Sequence, residues 1–303
     1  MSPPPAAIDE KGRTIFGLIF IAILWLQLCF VLIPSWEGGT YYDYGWLVPP
    51  AIAFLAYQRW QDVLPPQPAP KHQAWLKILI FLGVLSIIPI RVIEHVDALW
   101  RFPLWAHAFV MLGITHLSLV LLKGWRRSLH LAPATFMILV AVPLPTSVQS
   151  ALVEALTGFI LDLSSQVLPM MGFPAILSGT AFVVDGKLLD VTEGCSGIRS
   201  FQSCITAALV LGELSRFKIP TRLFLLIASL AIAIIANTIR IVTLTQIAYT
   251  EGHDAMDKAH DPVGLWTAVA TYVLVAGLAW LISAWSTHGK KVKVVRKKVA
   301  NSA

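Results

Sequence analysis

The chain of 303 residues is short of charge: Asp, Glu, Lys and Arg together make up 13% of it. A soluble globular domain carries about 25%, because its surface must face water. A surface this poor in charge is covered only if much of it faces lipid. Cysteine is scarce too. Cys29, Cys195 and Cys204 are the 3 present, too few and of the wrong parity for a disulfide framework. No leader is expected at the N-terminus, because the apolar run from Ile15 to Pro34 is long for a signal-peptide core and lacks a small-residue cleavage site after it. His and Cys do not recur at metal-ligand spacing, so neither a metal nor any other cofactor is expected.

What the chain does have is apolar length. Hydrophobic residues make up 56%, 11 residues are Trp, and the mean hydropathy is +0.71. Trp is enriched at membrane interfaces. A span needs about 20 apolar residues, and Ile15–Pro34, Trp75–Ile93, Phe102–Leu122, Thr221–Tyr249 and Val263–Trp285 supply them. Tyr44–Tyr57, Leu131–Pro145 and Arg199–Leu214 are shorter or more polar candidates. Counted together, the eight put both termini on one side.

Basic residues test that count, since loops rich in Lys and Arg stay cytoplasmic. One side receives Lys11, Arg13, Arg59, Lys71, Lys123, Arg126, Arg127, Arg216, Lys218, Arg222 and the tail after Lys290. The other holds chiefly Arg91, Arg101, Lys187, Arg199 and Lys258. The termini are therefore expected in the cytoplasm. The net charge of +6 belongs largely to the tail, where it suits anionic lipid; nucleic acid is not an expected partner. Ser147–Met171 carries Glu154 and Asp162, and as a full span it would invert every later loop. It is read as an amphipathic helix at the outer face. The Pro-rich stretch Pro65–Pro70 reads as a stiff connection.

The expected architecture is an all-α polytopic membrane protein of about eight transmembrane helices with a small extracytoplasmic β-hairpin, all in a single membrane domain. A cytoplasmic N-terminus (1–14) leads into N-terminal helices (15–145). The outer amphipathic helix and hairpin (146–198) follow, then the helices expected to carry the chemistry (199–286) and a basic cytoplasmic tail (287–303). The hairpin is placed by Asp185-Gly186, a two-residue turn signal between two apolar runs.

The hairpin feeds directly into Glu193-Gly194-Cys195-Ser196-Gly197-Ile198-Arg199. Glycines on both sides of Cys195 let backbone approach closely and leave amides free to face a ligand. A helix N-terminus draws a thiol toward its reactive thiolate. A nucleophile fits there, and so does a small buried hydrophobe at a tight turn. Arg240, within Ile234–Val242, is costly in lipid and should point into the bundle, or else snorkel to the interface. At 1.5 Å per residue from Thr221 it lies about 28 Å along its helix, at the expected depth of Cys195. Asn237 shares its helix face. His260 is placed in the outer loop Thr250–Asp261, with Asp261 as N-cap and Pro262 in the first turn of the final helix. Three stretches thus deliver Cys, Arg and His to one membrane face, and a Cys–His pair is the usual way to activate a thiol. His107 and His116, on opposite faces of one helix, cannot form such a pair.

Cys-Ser-Gly-Ile after a short hairpin, Asn-x-x-Arg late in the next hydrophobic helix and His-x-x-x-Gly before the last one resemble the exosortase/archaeosortase family of membrane cysteine transpeptidases. The likeness is strongest over Gly179–Ser283; earlier helices match only in hydropathy. The resemblance implies Cys195 as nucleophile, Arg240 as basic partner and His260 as third member. Ser196 and Gly197 are candidate oxyanion amides, Asn237 could orient His260 or Arg240, and Glu193 either pairs with Arg240 or caps the following helix. Which of Arg240 and His260 is the base stays open. The implied partners are membrane proteins bearing a C-terminal sorting signal, cleaved at the outer face of a bacterial cytoplasmic (inner) membrane. With no added soluble domain the chain reads as a stand-alone enzyme, and the acyl acceptor is undefined. The competing readings are a polytopic transporter and a non-enzymatic scaffold in envelope polysaccharide export. Matched broken helices in inverted repeats would favour the transporter, and the sequence has none.

Overall fold

The computed structural model describes residues 5–37, 41–65, 67, 73–97, 100–173, 176–179, 181–184, 187–190 and 197–300, with the backbone alone at 5–10, 184, 187–190 and 286–300. It forms two compact units, Met1–Gln149 and Ser150–Ala303.

The first unit holds α1 (Pro5–Glu37), α2 (Val48–Trp60), α3 (Gln73–Val96), α4 (Phe102–Lys123) and α5 (Trp125–Thr135). Pro103 opens α4 and Gly124, at φ 83°, ends it. Large apolar side chains such as Phe16, Ile23, Phe30, Phe81 and Ile88 point outward, while polar groups turn inward. Trp25 Nε1 donates to Thr115 Oγ1 at 3.0 Å. His107, fully buried, bonds Glu94 Oε1 through Nδ1 and Gln27 Oε1 through Nε2, each at 3.0 Å. His116 bonds Ser128 and Thr135 instead, so the two histidines serve separate contacts. An apolar exterior around a hydrogen-bonded interior is what a lipid solvent selects.

The second unit holds α6 (Thr146–Met170, whose first residues belong to the first unit), three strands, α7 (Ile198–Leu214), α8 (Ile219–Glu251) and α9 (His253–Ala300). The strands β1 (Ile176–Ser178), β2 (Ala181–Val184) and β3 (Lys187–Asp190) pair antiparallel in the order β1-β2-β3. Val184 pairs with Lys187, which leaves Asp185 and Gly186 as the connection; both lie outside the described residues. β1 extends the expected hairpin by a strand. Gly179, at φ 64°, supplies the left-handed residue that a two-residue connection requires. Phe182 of β2 is fully buried and packs with Ile160, Leu161 and Leu168 of α6 and Ile241, Val242 and Leu244 of α8. That contact seats the sheet over the C-terminal half of α8.

Among the described residues six helices are long and apolar enough to cross a bilayer: 11–37, 73–96, 102–123, 146–170, 219–251 and 253–285. The expected count of eight is not confirmed. The 13 residues of α2 rise about 20 Å against a hydrocarbon core of about 30 Å. α5 has 11 residues with Pro133 inside, and a 3-10 segment Phe136–Ala141 replaces its continuation. α7 has 17. By contrast α6, expected at the interface, is 25 residues long at a mean hydropathy of 1.4 and meets the criteria of a span. Most of Pro65–Pro70 lies outside the described residues.

Candidate active site

The site is built around α8. Its first turn carries Pro220 and it ends at Gly252, where φ is 92°, so 33 residues run as one rigid rod. Asn237 and Arg240, three residues apart, occupy neighbouring positions late on that rod.

Arg240 Nη2 lies 3.0 Å from His260 Nε2. A guanidinium has no acceptor and keeps its proton, so it donates and Nε2 accepts. The remaining ring proton is then on Nδ1, which donates to Asp261 Oδ1 at 3.0 Å. One tautomer satisfies both contacts. His260 is about one third exposed, whereas the Asp261 side chain is 98% exposed.

These residues are not where the helix-start signals put them. The expected loop Thr250–Asp261 is helical from His253 onward, and Asp261 and Pro262 lie inside α9 rather than at its cap. Gly252 breaks α8, and the acidic Asp254 in the new first turn suits the positive end of a helix dipole. Asp261 is thereby released from capping and serves His260.

Two glycines permit close approaches to α8. A Cβ on Gly264 would lie 3.1 Å from Arg240 Nη2 and 3.3 Å from Cζ. Gly264 is one turn beyond His260 on the same face of α9, so the His-x-x-x-Gly spacing has a physical reason: the histidine meets the guanidinium while the glycine makes room for it. Gly197 precedes α7 at φ 74°, ψ 0°, in the left-handed region that glycine enters without cost. A Cβ there would fall 2.7 Å from Asn237 Nδ2 and 2.8 Å from Cγ. Conformation and space both demand glycine at this position.

Between α7 and α9, with Arg240 at its side, is a cavity of about 340 Å³. Gly197, Ile198, Arg199, Ser200 and Ser203 line it from α7. His260, Asp261, Gly264, Ala268 and Tyr272 line it from α9, the positions 260, 264, 268 and 272 forming one helical stripe. Hydroxyls, two guanidiniums and an imidazole give it a polar mouth, and Ala268 and Ile198 an apolar flank.

The structure therefore brings together Arg240, His260, Asn237 and Gly197 of the expected residues. Glu193, Cys195 and Ser196 lie outside the described residues; the described chain resumes at Gly197, two positions after Cys195. Asn237 packs against Gly197, a neighbour that sequence reading did not assign to it. Asp261 and Gly264 were not expected as site residues. The four-residue spacing of Gly264 from His260 was the signal available for one. The neighbouring Pro262 hid the other, because Asp before Pro reads as a cap. Among the described residues no three His, Cys, Asp or Glu side chains gather to hold a metal ion.

The model of the transmembrane exosortase family matches residues 36–288. The chain belongs to that family. The match reaches well into the first unit, further than the motifs of the second unit alone carry the likeness. No curated protein and no solved structure matches the chain.

Proposed function

We propose that this exosortase-family protein is a cysteine transpeptidase that cleaves C-terminal sorting signals of membrane-anchored proteins at the outer face of the bacterial cytoplasmic membrane. The observation that carries the reading is the Arg240–His260 contact at the wall of a cavity that also reaches Gly197, two residues from the only cysteine flanked by glycines. Family membership supports the same class of chemistry. In this reading α6 lies at the outer interface, its length and hydropathy notwithstanding, and both termini lie in the cytoplasm; the basic loops support that orientation.

The proposed reaction starts with His260 accepting the Cys195 proton on Nε2. In the resting arrangement Arg240 holds that lone pair, so the guanidinium must first swing away. It moves toward the oxygen of the scissile carbonyl, where negative charge develops as the thiolate attacks. A cation brought to that oxygen in a partly desolvated site stabilises such an oxyanion, and the Ser196 and Gly197 amides are further donors. The tetrahedral intermediate collapses to a thioester as the C–N bond breaks, and His260 returns the proton to the leaving amine. An acceptor nucleophile or water then resolves the thioester. Asp261 keeps the proton on Nδ1 throughout, and Glu193 is a candidate partner for Arg240. No cofactor enters.

The test is a sorting-signal substrate co-expressed with wild-type protein and with Cys195→Ala. The variant should reach the membrane at normal levels and leave the substrate uncleaved. Continued cleavage by Cys195→Ala would end the thiol mechanism.

A further inference from the structure

We infer that Asn237 is a positioning residue that holds the cysteine-bearing segment in register with Arg240 and His260; the inference rests on the reading of Cys195 as nucleophile. Asn237 is 5% exposed and its amide sits directly under Gly197, so closely that a single added carbon would fall 2.7 Å from Nδ2. Gly197 fixes the start of α7 in a left-handed conformation. Two residues span at most about 7 Å of chain, so whatever holds Gly197 also limits where Cys195 can be.

The same rod sets the other half of the site. Three residues beyond Asn237, Arg240 meets His260 and Gly264 of α9. α8 thus touches Gly197 with one side chain and the imidazole-bearing helix with the next side chain on that face. The rise between positions 237 and 240, about 4.5 Å, sets how far apart these two contacts lie along α8. This gives Asn237 a different task from orienting His260 or Arg240. A long polar side chain is not needed to reach a loop that is already in contact. What the position requires is a compact planar amide that fills the space beneath a residue without a Cβ.

The contact predicts coupling. Asn237→Ala removes the seat, and Gly197→Ala drives a methyl into it; each displaces the same segment. A displacement of about 1 Å at a reacting group can cost about 10²-fold in rate. For Asn237→Ala we expect kcat for a sorting-signal substrate to fall about 10²-fold with KM changed much less, since the α9 side of the cavity is untouched. The double variant Gly197→Ala/Asn237→Ala should lose no more than the worse single variant, because the clash disappears with the amide.

A second readout needs no catalysis. In a Cys29→Ala/Cys204→Ala background, the rate at which a membrane-impermeant maleimide alkylates Cys195 is followed against pH for each variant. Loss of the seat should change both the rate and the midpoint of that profile, and the double variant should again match the worse single one. Unchanged alkylation together with unchanged kcat in Asn237→Ala overturns the inference, as do losses that simply add in the double variant. The proposed mechanism fails separately: Cys195→Ala that still cleaves substrate removes the nucleophile reading and leaves the alkylation coupling to be judged by itself.

Discussion

Arg240 donates to His260 Nε2 across 3.0 Å, and the imidazole is thereby locked in the tautomer whose Nδ1–H faces Asp261. An arginine so placed covers the lone pair that a base must use, and uncovers it by moving toward the substrate. Arg240→Lys keeps the charge but loses the planar fork that reaches ring nitrogen and oxyanion in turn. Removing one oxyanion donor costs about 10²–10³ in kcat. Arg240→Ala should lose at least that, and Arg240→Lys should recover less than a tenth of the wild-type rate. Cleavage assays at saturating substrate decide it; full activity in the lysine variant would separate Arg240 from the oxyanion.

Gly264 offers a case where stability and activity part. Alanine is better than glycine in a helix interior by about 1 kcal/mol, so Gly264→Ala should leave α9 as stable or slightly more so. Its Cβ would nevertheless press on the guanidinium at 3.1 Å, a contact Arg240 relieves by shifting. We expect a fall of about tenfold in kcat with thermal stability in detergent retained. Gly264→Val, which adds two more carbons at the same place, should abolish cleavage. A fully active valine variant would show that the guanidinium does not need the space beside Gly264.

Asp261 tests how much an exposed partner matters. Its side chain is 98% exposed, and exposed ion pairs are worth about 0.2–1 kcal/mol. Asp261→Ala should therefore slow cleavage by no more than about fivefold. Asp261→Asn, whose carbonyl oxygen still accepts from Nδ1, should fall less. A loss of several hundredfold in the alanine variant would mean that bound substrate buries this carboxylate.

The long elements were legible because lipid leaves so few solutions. An apolar run such as Ile227–Ile241 has to satisfy its backbone internally, and α8 forms almost where hydropathy places it. The short elements were less so. Hydropathy places Leu131–Pro145 among the spans, but Pro133 and the 3-10 segment that follows α5 limit the regular helix to 11 residues. The paired strands around Asp185-Gly186 were readable from a turn dipeptide between two short apolar runs. β1, with 3 residues, has too few positions to show a period. In the site, residue type pointed to Arg240 and His260, since an arginine in an apolar helix needs a reason. Their neighbours were hidden, because Asn237 against Gly197 and Arg240 against Gly264 are contacts between helices, which a single sequence does not display. Asp261 was misassigned for a local reason: Asp-Pro reads as a helix start, and here the helix had already begun at His253.

A last prediction concerns the first unit, where Glu94 joins two polar side chains. Its carboxylate accepts from Arg91 Nη1 at 2.7 Å through Oε2 and from His107 Nδ1 at 3.0 Å through Oε1. The Glu94 side chain is 4% exposed and that of His107 fully buried. Glu94→Ala leaves a cation and an imidazole N–H without their acceptor inside an apolar bundle. Deleting one partner of a buried pair costs about 3–5 kcal/mol. Glu94→Gln keeps one oxygen for either neighbour and loses the charge, so it should fall between wild type and alanine. Replacing Glu94 and His107 together by Leu and Phe removes the orphaned ring as well as the charge, and should recover part of the loss. Thermal unfolding in one detergent orders the variants. If Glu94→Ala unfolds at the wild-type temperature, the cluster does not hold α3 against α4, and the buried polar contacts of this unit owe their presence to something other than stability.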